Sequence, residues 1–265
     1  MNLAVLILHF GNPQNTLNCL SSLEKSDKTG IRLQIYLIDN GTGTDFGKKK
    51  NMILIRNEKN LGFAAGMNRG IDKAIKSGES DYFLLLNNDT VLPENFLQKL
   101  KITKYDITGA VVKYKSVNGK WIYDYGGLLN GWTGKTEHME KTKYDPDPVN
   151  YKPDYFSGCC LMIKREVFAK IGLFDERFFF YYEDVDFCFR AKKAGLKLGL
   201  VPAAVIEHEL SSSVGKWSNK AIYYNLSSHF KFINKHLGLK RPVAWIFLAL
   251  LTAKIIWDKI FMKAK

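Results

Sequence analysis

The segment YFLLLNNDT, residues 82–90, runs through apolar side chains into Asn87, Asn88 and Asp89. A short apolar run closed by turn-forming polar residues reads as a buried strand. The pattern recurs in LAVLILHF (3–10), LQIYLIDN (33–40) and MILIRN (52–57). Helical patterns separate these runs, one opened near Pro13 and one starting at about Ala64. Strands alternating with helices predict an α/β fold whose mostly parallel sheet is covered on both faces, with ligands bound beyond the carboxyl ends of the strands. Residues 10–12, 39–41 and 87–89 fall at those ends, so they are expected to border one crevice.

Outward from that core the pattern changes. Past Leu97 come ITGAVVKY (107–114), a Gly- and Trp-rich stretch over residues 119–134, a polar loop, the strand-like FSGCCLMI (156–163) and two more helices. No repeat, low-complexity segment or clean linker divides the 265 residues, and a hydrophobic content of 46% supports a substantial core. The expected organisation is one domain over residues 1–240, with a nucleotide-binding half at about 1–100 and an acceptor-binding half at about 101–240. An amphipathic basic helix follows over 241–265.

Cys19, Cys159, Cys160 and Cys188 show no C-x-x-C spacing, which points away from a zinc site or a disulfide framework and toward a reducing compartment. The first residues read as a buried strand rather than a signal peptide, and a cytoplasmic protein is expected.

The net charge of +13 is uneven. Residues 231–265 carry eight Lys and Arg against Asp258, and enclose VAWIFLALLTA (243–253). Eleven residues are about half the ~20 that a helix needs to span a bilayer, whereas Lys and Trp flanking an apolar helix suit the headgroup region of an anionic membrane. The expectation is peripheral association with the inner face of the cell membrane. The alternative for this helix is packing on the domain's own core.

Three features carry chemistry. In YYEDVDFCFRAKKAG (181–195), Glu183, Asp184 and Asp186 follow the aromatic residues 178–182; a carboxylate in partly dry surroundings has a raised pKa and suits a general base. Asp186 stands four before Arg190 and has a structural explanation as an i,i+4 pair. Asp89 at a strand end is suited to bind a hard cation such as Mg²⁺ or Mn²⁺, and His208 after a later apolar strand could add a nitrogen ligand. Gly62, Gly66 and Gly70 in NLGFAAGMNRGIDKAIKSG (60–78) recur every four residues, not as G-x-G-x-x-G, and permit close approach by a strand or a ligand.

In their order, VLILHFGN, YLIDNGT, RNEKNLGFAAGMNRGI, LLLNNDT, FSGCCLMIKREVFAKIGLFDERFFFYYEDVDFCFRAKKAG and EHELSSS resemble the family 2 glycosyltransferases, especially rhamnosyltransferase-like members that build bacterial surface polysaccharides. The resemblance implies a GT-A fold, here with a C-terminal helical extension. It also implies inverting, metal-dependent transfer from a UDP- or dTDP-sugar, dTDP-rhamnose among them, to a saccharide or lipid-linked acceptor. By it, Asp39 binds the nucleotide base, Asp89 holds Mn²⁺ or Mg²⁺ at the donor diphosphate, His208 assists and Asp184 is the base; beside that base, Glu183 is expected to orient the acceptor or Asp184. Asn87, Asn88, Gly62 and Gly66 would line the nucleotide-sugar site. Asn87 stands where the family's D-x-D motif begins with an acid, which weakens the expected metal affinity more than donor binding. Asp39 also suits uracil and thymine chemically, since both present an N3–H to a carboxylate.

Two other classes share part of the pattern. A sugar-phosphate nucleotidyltransferase should carry a Gly-rich, basic loop after its first strand, and HFGNPQNTLN lacks one. A non-catalytic basic module binding membrane or nucleic acid would explain the C-terminal charge but not the carboxylates at strand ends; nucleic acid is not an expected partner.

Overall fold

The computed structural model describes residues 1–101, 103–147, 151–209 and 218–261, the side chain of residue 260 excepted. Residues 210–213 of EHELSSS, Lys263 and Lys265 lie outside them. The anticipated strands appear as β1 (Asn2–His9), β2 (Arg32–Asp39), β3 (Met52–Arg56) and β4 (Tyr82–Asn87), pairing in parallel in the order β3-β2-β1-β4. Between them run α1 (Pro13–Lys25), capped by Asn12 with Pro13 in its first turn, and α2 (Gly62–Ser77).

Strand β1 shows why these runs are apolar throughout. Leu3, Val5 and Ile7 enter a core beneath α1, built with Leu20, Leu23 and Phe96. Ala4 and Leu6 face α2 and pack with Ala64, Met67 and Ile71. A strand covered on both faces has no polar side to alternate with.

The second half departs from simple parallel winding. After β5 (Thr90–Val91) and α3 (Phe96–Lys101), β6 (Ile107–Lys115) leads into an antiparallel hairpin of β7 (Trp121–Leu129) and β8 (Thr136–Lys141). Strand β9 (Cys160–Lys164) inserts between β4 and β6 antiparallel to both, and β10 (Leu198–His208) lies parallel to β6. Because β9 runs backwards, its first residue lies at the same edge as the last residues of β1, β2, β4 and β10. Residues 156–159, expected as strand, instead form the loop that crosses this edge.

Helices α4 (Arg165–Ile171) and α5 (Glu183–Lys193) follow β9, and α6 (Asn219–His236) and α7 (Arg241–Phe261) end the described chain. A third core joins Tyr182, Val185 and Cys188 to Phe232 and Ile233 of α6 and to Ala244 and Leu248 of α7. One face of α7 therefore packs on the domain.

Candidate active site

Asn87, the last residue of β4, places Asn88 and Asp89 beyond the sheet edge. Asp89 Oδ1 pairs with Nε2 of His208, the last residue of β10, at 2.9 Å, and Asn87 Nδ2 lies 3.5 Å from the same nitrogen. The two strands are held together here by β5, which pairs antiparallel with β10 through Thr90↔His208. Among the described residues no group of three or more His, Cys, Asp and Glu gathers around a common point. Asp89 and His208 nevertheless fit as neighbouring ligands, since adjacent ligands of an octahedral ion with bonds of about 2.1 Å stand about 3 Å apart. Such an ion would take its remaining ligands from water and substrate oxygens.

The other side of the edge belongs to α5. The chain enters it through Tyr181 and Tyr182, both left-handed at φ 66° and 68°, a conformation that costs a non-glycine residue roughly 1 kcal/mol or more. Packing holds them there: the Tyr182 hydroxyl donates to Gly134 O at 3.1 Å, and its ring stacks on His229 at 5.1 Å. The turn places Glu183 and Asp184 in the first helical turn, where the backbone N–H groups favour negative charge. Asp184 Oδ2 accepts from Gly158 N–H at 2.9 Å and Oδ1 from Val185 N–H at 2.8 Å.

Burial raises the Asp184 carboxyl above the ordinary range, opposed by those N–H groups and by His138. Burial, with Asp184 adjacent, pushes Glu183 much further, and its Oε2 has no hydrogen-bond partner. Both oxygens of Asp184 accept backbone N–H bonds whereas Glu183 Oε2 accepts none, so Glu183 is the less easily ionised of the two. Asp186 has a different role. It is fully buried and binds Arg190 Nε at 2.8 Å, Lys235 Nζ at 2.5 Å and His236 Nε2 at 2.7 Å. Burial opposes its ionisation, but these three partners prevail and hold its pKa below the usual value.

Cys159 ties the two sides together. Its buried thiol is pushed up to about 12, by burial first and then by Asp124, Asp89 and Asp184. Hydrogen bonds join the two sides at the same loop between β8 and β9: Asn87 N–H donates to Cys159 O at 2.9 Å, and Gly158 N–H donates to Asp184 Oδ2 at 2.9 Å.

Asp39 stands at the end of β2, only 1% exposed. It accepts three hydrogen bonds from its own turn, from Thr42 N–H, Thr42 Oγ1 and Gly43 N–H. It also ends a chain that begins beside Asp89. Asn88 Nδ2 donates to Thr16 Oγ1, which pairs with His9 Nδ1 at 2.7 Å; His9 Nε2 pairs with Thr44 Oγ1 at 3.2 Å, and Thr44 meets Thr42, which donates to Asp39. Burial lowers the His9 pKa against the pull of Asp39, so the ring is neutral, accepting from Thr16 and donating toward Thr44. Every donor then points toward the Asp39 carboxylate.

The glycines serve packing. A Cβ on Gly66 would meet Leu8 Cδ1 at 2.8 Å, and one on Gly70 would meet Ile38 Cδ1 at 2.6 Å, so both let α2 lie close on the sheet. Gly62, at φ +82°, has Phe179 O where a Cβ would stand, and joins α2 to the aromatic run entering α5.

Sequence reading passed over His9 and the Asp124–His138 pair, and placed Asn40 at the strand end 39–41 without giving it a role. The side chain of Asn40 takes part in four hydrogen bonds, with Asn57, Asn60, Leu61 and Gly62, and fixes the start of α2. His138 Nδ1 lies 2.8 Å from Asp124 Oδ2; burial alone would lower its pKa, but Asp124 raises it, with Asp184 contributing. His9 borders residues 10–12, already singled out at a strand end, which is the one signal that could have marked it. Nothing local distinguishes His138.

The sequence profile described as "Glycosyl transferase family 2" matches residues 4–172. The low-salt glycan biosynthesis hexosyltransferase Agl10 of Haloferax volcanii is 24% identical over 214 residues, covering 75% of this chain and 64% of that protein. The N-acetylglucosaminyl-diphospho-decaprenol L-rhamnosyltransferase of Mycobacterium tuberculosis is 34% identical over 118 residues, covering 44% of this chain and 37% of the relative. The chain thus spans less than two thirds of the length of either. Among solved structures, GalNAc-T7 with UDP, GalNAc and Mn²⁺ superimposes with a TM-score of 0.66 at 18% identity, covering 88% of this chain and 47% of that one. At that identity the likeness is one of fold, and the fold is GT-A.

Proposed function

The chain belongs to glycosyl transferase family 2, and from that footing we propose that it is an inverting transferase. It moves a sugar from a UDP- or dTDP-sugar to a hydroxyl of a saccharide or lipid-linked acceptor, rhamnose being the sugar that the mycobacterial relative's name suggests. The observation that carries the reading is that the loop at 158–159 is bonded on one side to Asp184, through Gly158 N–H, and on the other, through Cys159 O, to Asn87 N–H, whose side chain adjoins the Asp89–His208 pair.

Asp184 takes the proton from the acceptor hydroxyl while that oxygen attacks the anomeric carbon, and the bond to the nucleoside diphosphate breaks on the opposite face. One displacement inverts configuration. Both oxygens of Asp184 are held by backbone N–H groups, so the carboxylate is oriented before substrate arrives, and its raised pKa makes it a better base than a solvated aspartate. Burial of Glu183 disfavours a second negative charge beside the acceptor. Asp39 accepts from N3–H of uracil or thymine, and Asn87 and Asn88 hydrogen-bond donor oxygens. Asp89 and His208 would hold Mn²⁺ or Mg²⁺, which when bound supplies positive charge to the departing diphosphate; the GalNAc-T7 structure with UDP and Mn²⁺ supports this reading.

Residues 1–100 accordingly serve the donor, 101–240 the acceptor, and 241–265 anchor the protein at the cytoplasmic face of the cell membrane in bacterial surface polysaccharide synthesis. The test is incubation with UDP- and dTDP-sugars, with Mn²⁺ and with chelator. Slow, cation-dependent release of nucleoside diphosphate is expected. Release of pyrophosphate would indicate a nucleotidyltransferase, and no release from any donor a binding module.

A further inference from the structure

Eight of the sixteen large apolar side chains exposed among the described residues lie between residues 239 and 261, so the exposure is concentrated. Along α7, Val243, Ile246, Leu250 and Trp257 are exposed at helical spacing, Leu250 at 67%. The opposite face, through Ala244 and Leu248, is buried against α6. Contiguous apolar surface of this kind on a folded domain marks a binding face. No described helix is long and apolar enough to cross a membrane.

A second exposed element adjoins this helix. Trp132, 59% exposed, lies at the tip of the β7–β8 hairpin, with Lys240 Nζ 4.8 Å from its ring centroid and donating to Gly131 O at 3.0 Å. Lys240 immediately precedes α7, so hairpin tip and helix are joined. The inner side of the tip reaches the active site: Thr133 O pairs with His229 Nε2 at 2.8 Å, and Gly134 O accepts from Tyr182, which precedes Glu183 and Asp184.

We propose that the outer face of α7 and the Trp132 tip form one surface that lies in the headgroup region of an anionic bilayer, and that this contact positions the acceptor side of the site at the membrane. The charge selects a lipid surface as occupant. Lys240 adjoins the Trp132 tip and Lys254 stands among the exposed apolar residues of α7, while Arg241 and Lys259 bind Asn234 and Asn219 of α6; Asp258 is the one acid in α7, and this basic balance suits apolar insertion beneath anionic headgroups. Tryptophan at the rim adds an amphipathic ring that favours the interface. The inference rests on the glycosyl-transfer reading only for its purpose, delivery of a lipid-linked acceptor.

The full chain is tested by flotation with vesicles of phosphatidylglycerol and phosphatidylcholine against pure phosphatidylcholine, at low and high salt. Binding to the anionic vesicles, reduced by salt, is expected. Because the inner face of α7 is part of a core, outer-face substitutions are used rather than truncation. Ile246→Asp with Leu250→Asp should reduce binding at least about tenfold, and Trp132→Ser several-fold. Both variants should release nucleoside diphosphate from donor sugar at the wild-type rate while losing transfer to a lipid-linked acceptor relative to a soluble one.

Wild-type protein that ignores anionic vesicles at low salt overturns the proposal. So does a dimer that the double variant dissociates, since a second copy would then cover the face. A Trp132→Ser variant that binds like wild type removes the hairpin tip from the surface. Vesicle binding without any donor cleavage supports the surface and rejects the glycosyl-transfer reading, so the two fail separately.

Discussion

Asp89 Oδ1 and His208 Nε2 stand 2.9 Å apart across 119 residues of sequence, joined at the ends of strands that share one sheet edge. Both polar heads point beyond the strands that deliver them.

If this pair holds the cation, Asp89→Ala should remove the Mn²⁺-dependent part of UDP affinity, a loss of roughly tenfold or more, and His208→Ala should reduce it. Calorimetry with and without Mn²⁺ reads this directly. Unchanged cation dependence in both variants places the cation elsewhere.

Asp184→Asn should preserve donor binding and lower kcat by about 10² or more, the scale of a positioned general base. Because burial raises the Asp184 carboxyl, activity should fail on acidification at a pH above the ordinary carboxylate range. His138 pulls the same pKa down, so His138→Gln should move that acid limb to higher pH. A limb that stays in place in the variant separates His138 from the base.

Asp39→Asn should weaken UDP and dTDP together, by roughly ten- to a hundredfold, since both lose an N3–H contact to a charged acceptor. Inorganic diphosphate binding should not change. A variant that discriminates UDP from dTDP contradicts the role. His9→Leu interrupts the chain from Asn88 to Asp39 and should produce a smaller loss in the same direction, seen as a higher donor KM at unchanged kcat.

Asp186→Asn should destabilise the fold by about 3–5 kcal/mol in urea unfolding, because Arg190, Lys235 and His236 keep their partly buried positions without the buried charge that compensates them. The folded pKa of Asp186 is depressed. Its contribution is therefore present above the unfolded carboxylate pKa and lost as pH falls through the lower folded value. A variant equally stable at neutral pH would show the cluster to be dispensable.

Legibility in the sequence followed the range of the interaction. The runs at 3–8, 33–38 and 82–86 are strands because a strand covered on both faces must be apolar throughout, and that requirement is local. The same locality exposed Asp39 and Asn87 as strand ends, Asp186 and Arg190 as an i,i+4 pair, and α7 as an apolar helix among basic residues. Only the tertiary structure decided that β9 runs antiparallel between β4 and β6, since a five-residue apolar strand carries no mark of its direction. Only it turned Gly66 and Gly70 into packing contacts, paired Asp124 with His138, and connected Asn88 to Asp39 through His9. Such contacts depend on which strands become neighbours in the sheet. Burial, which raises the carboxyls of both Glu183 and Asp184, is likewise a property of everything packed around a residue and is not written at its position in the chain.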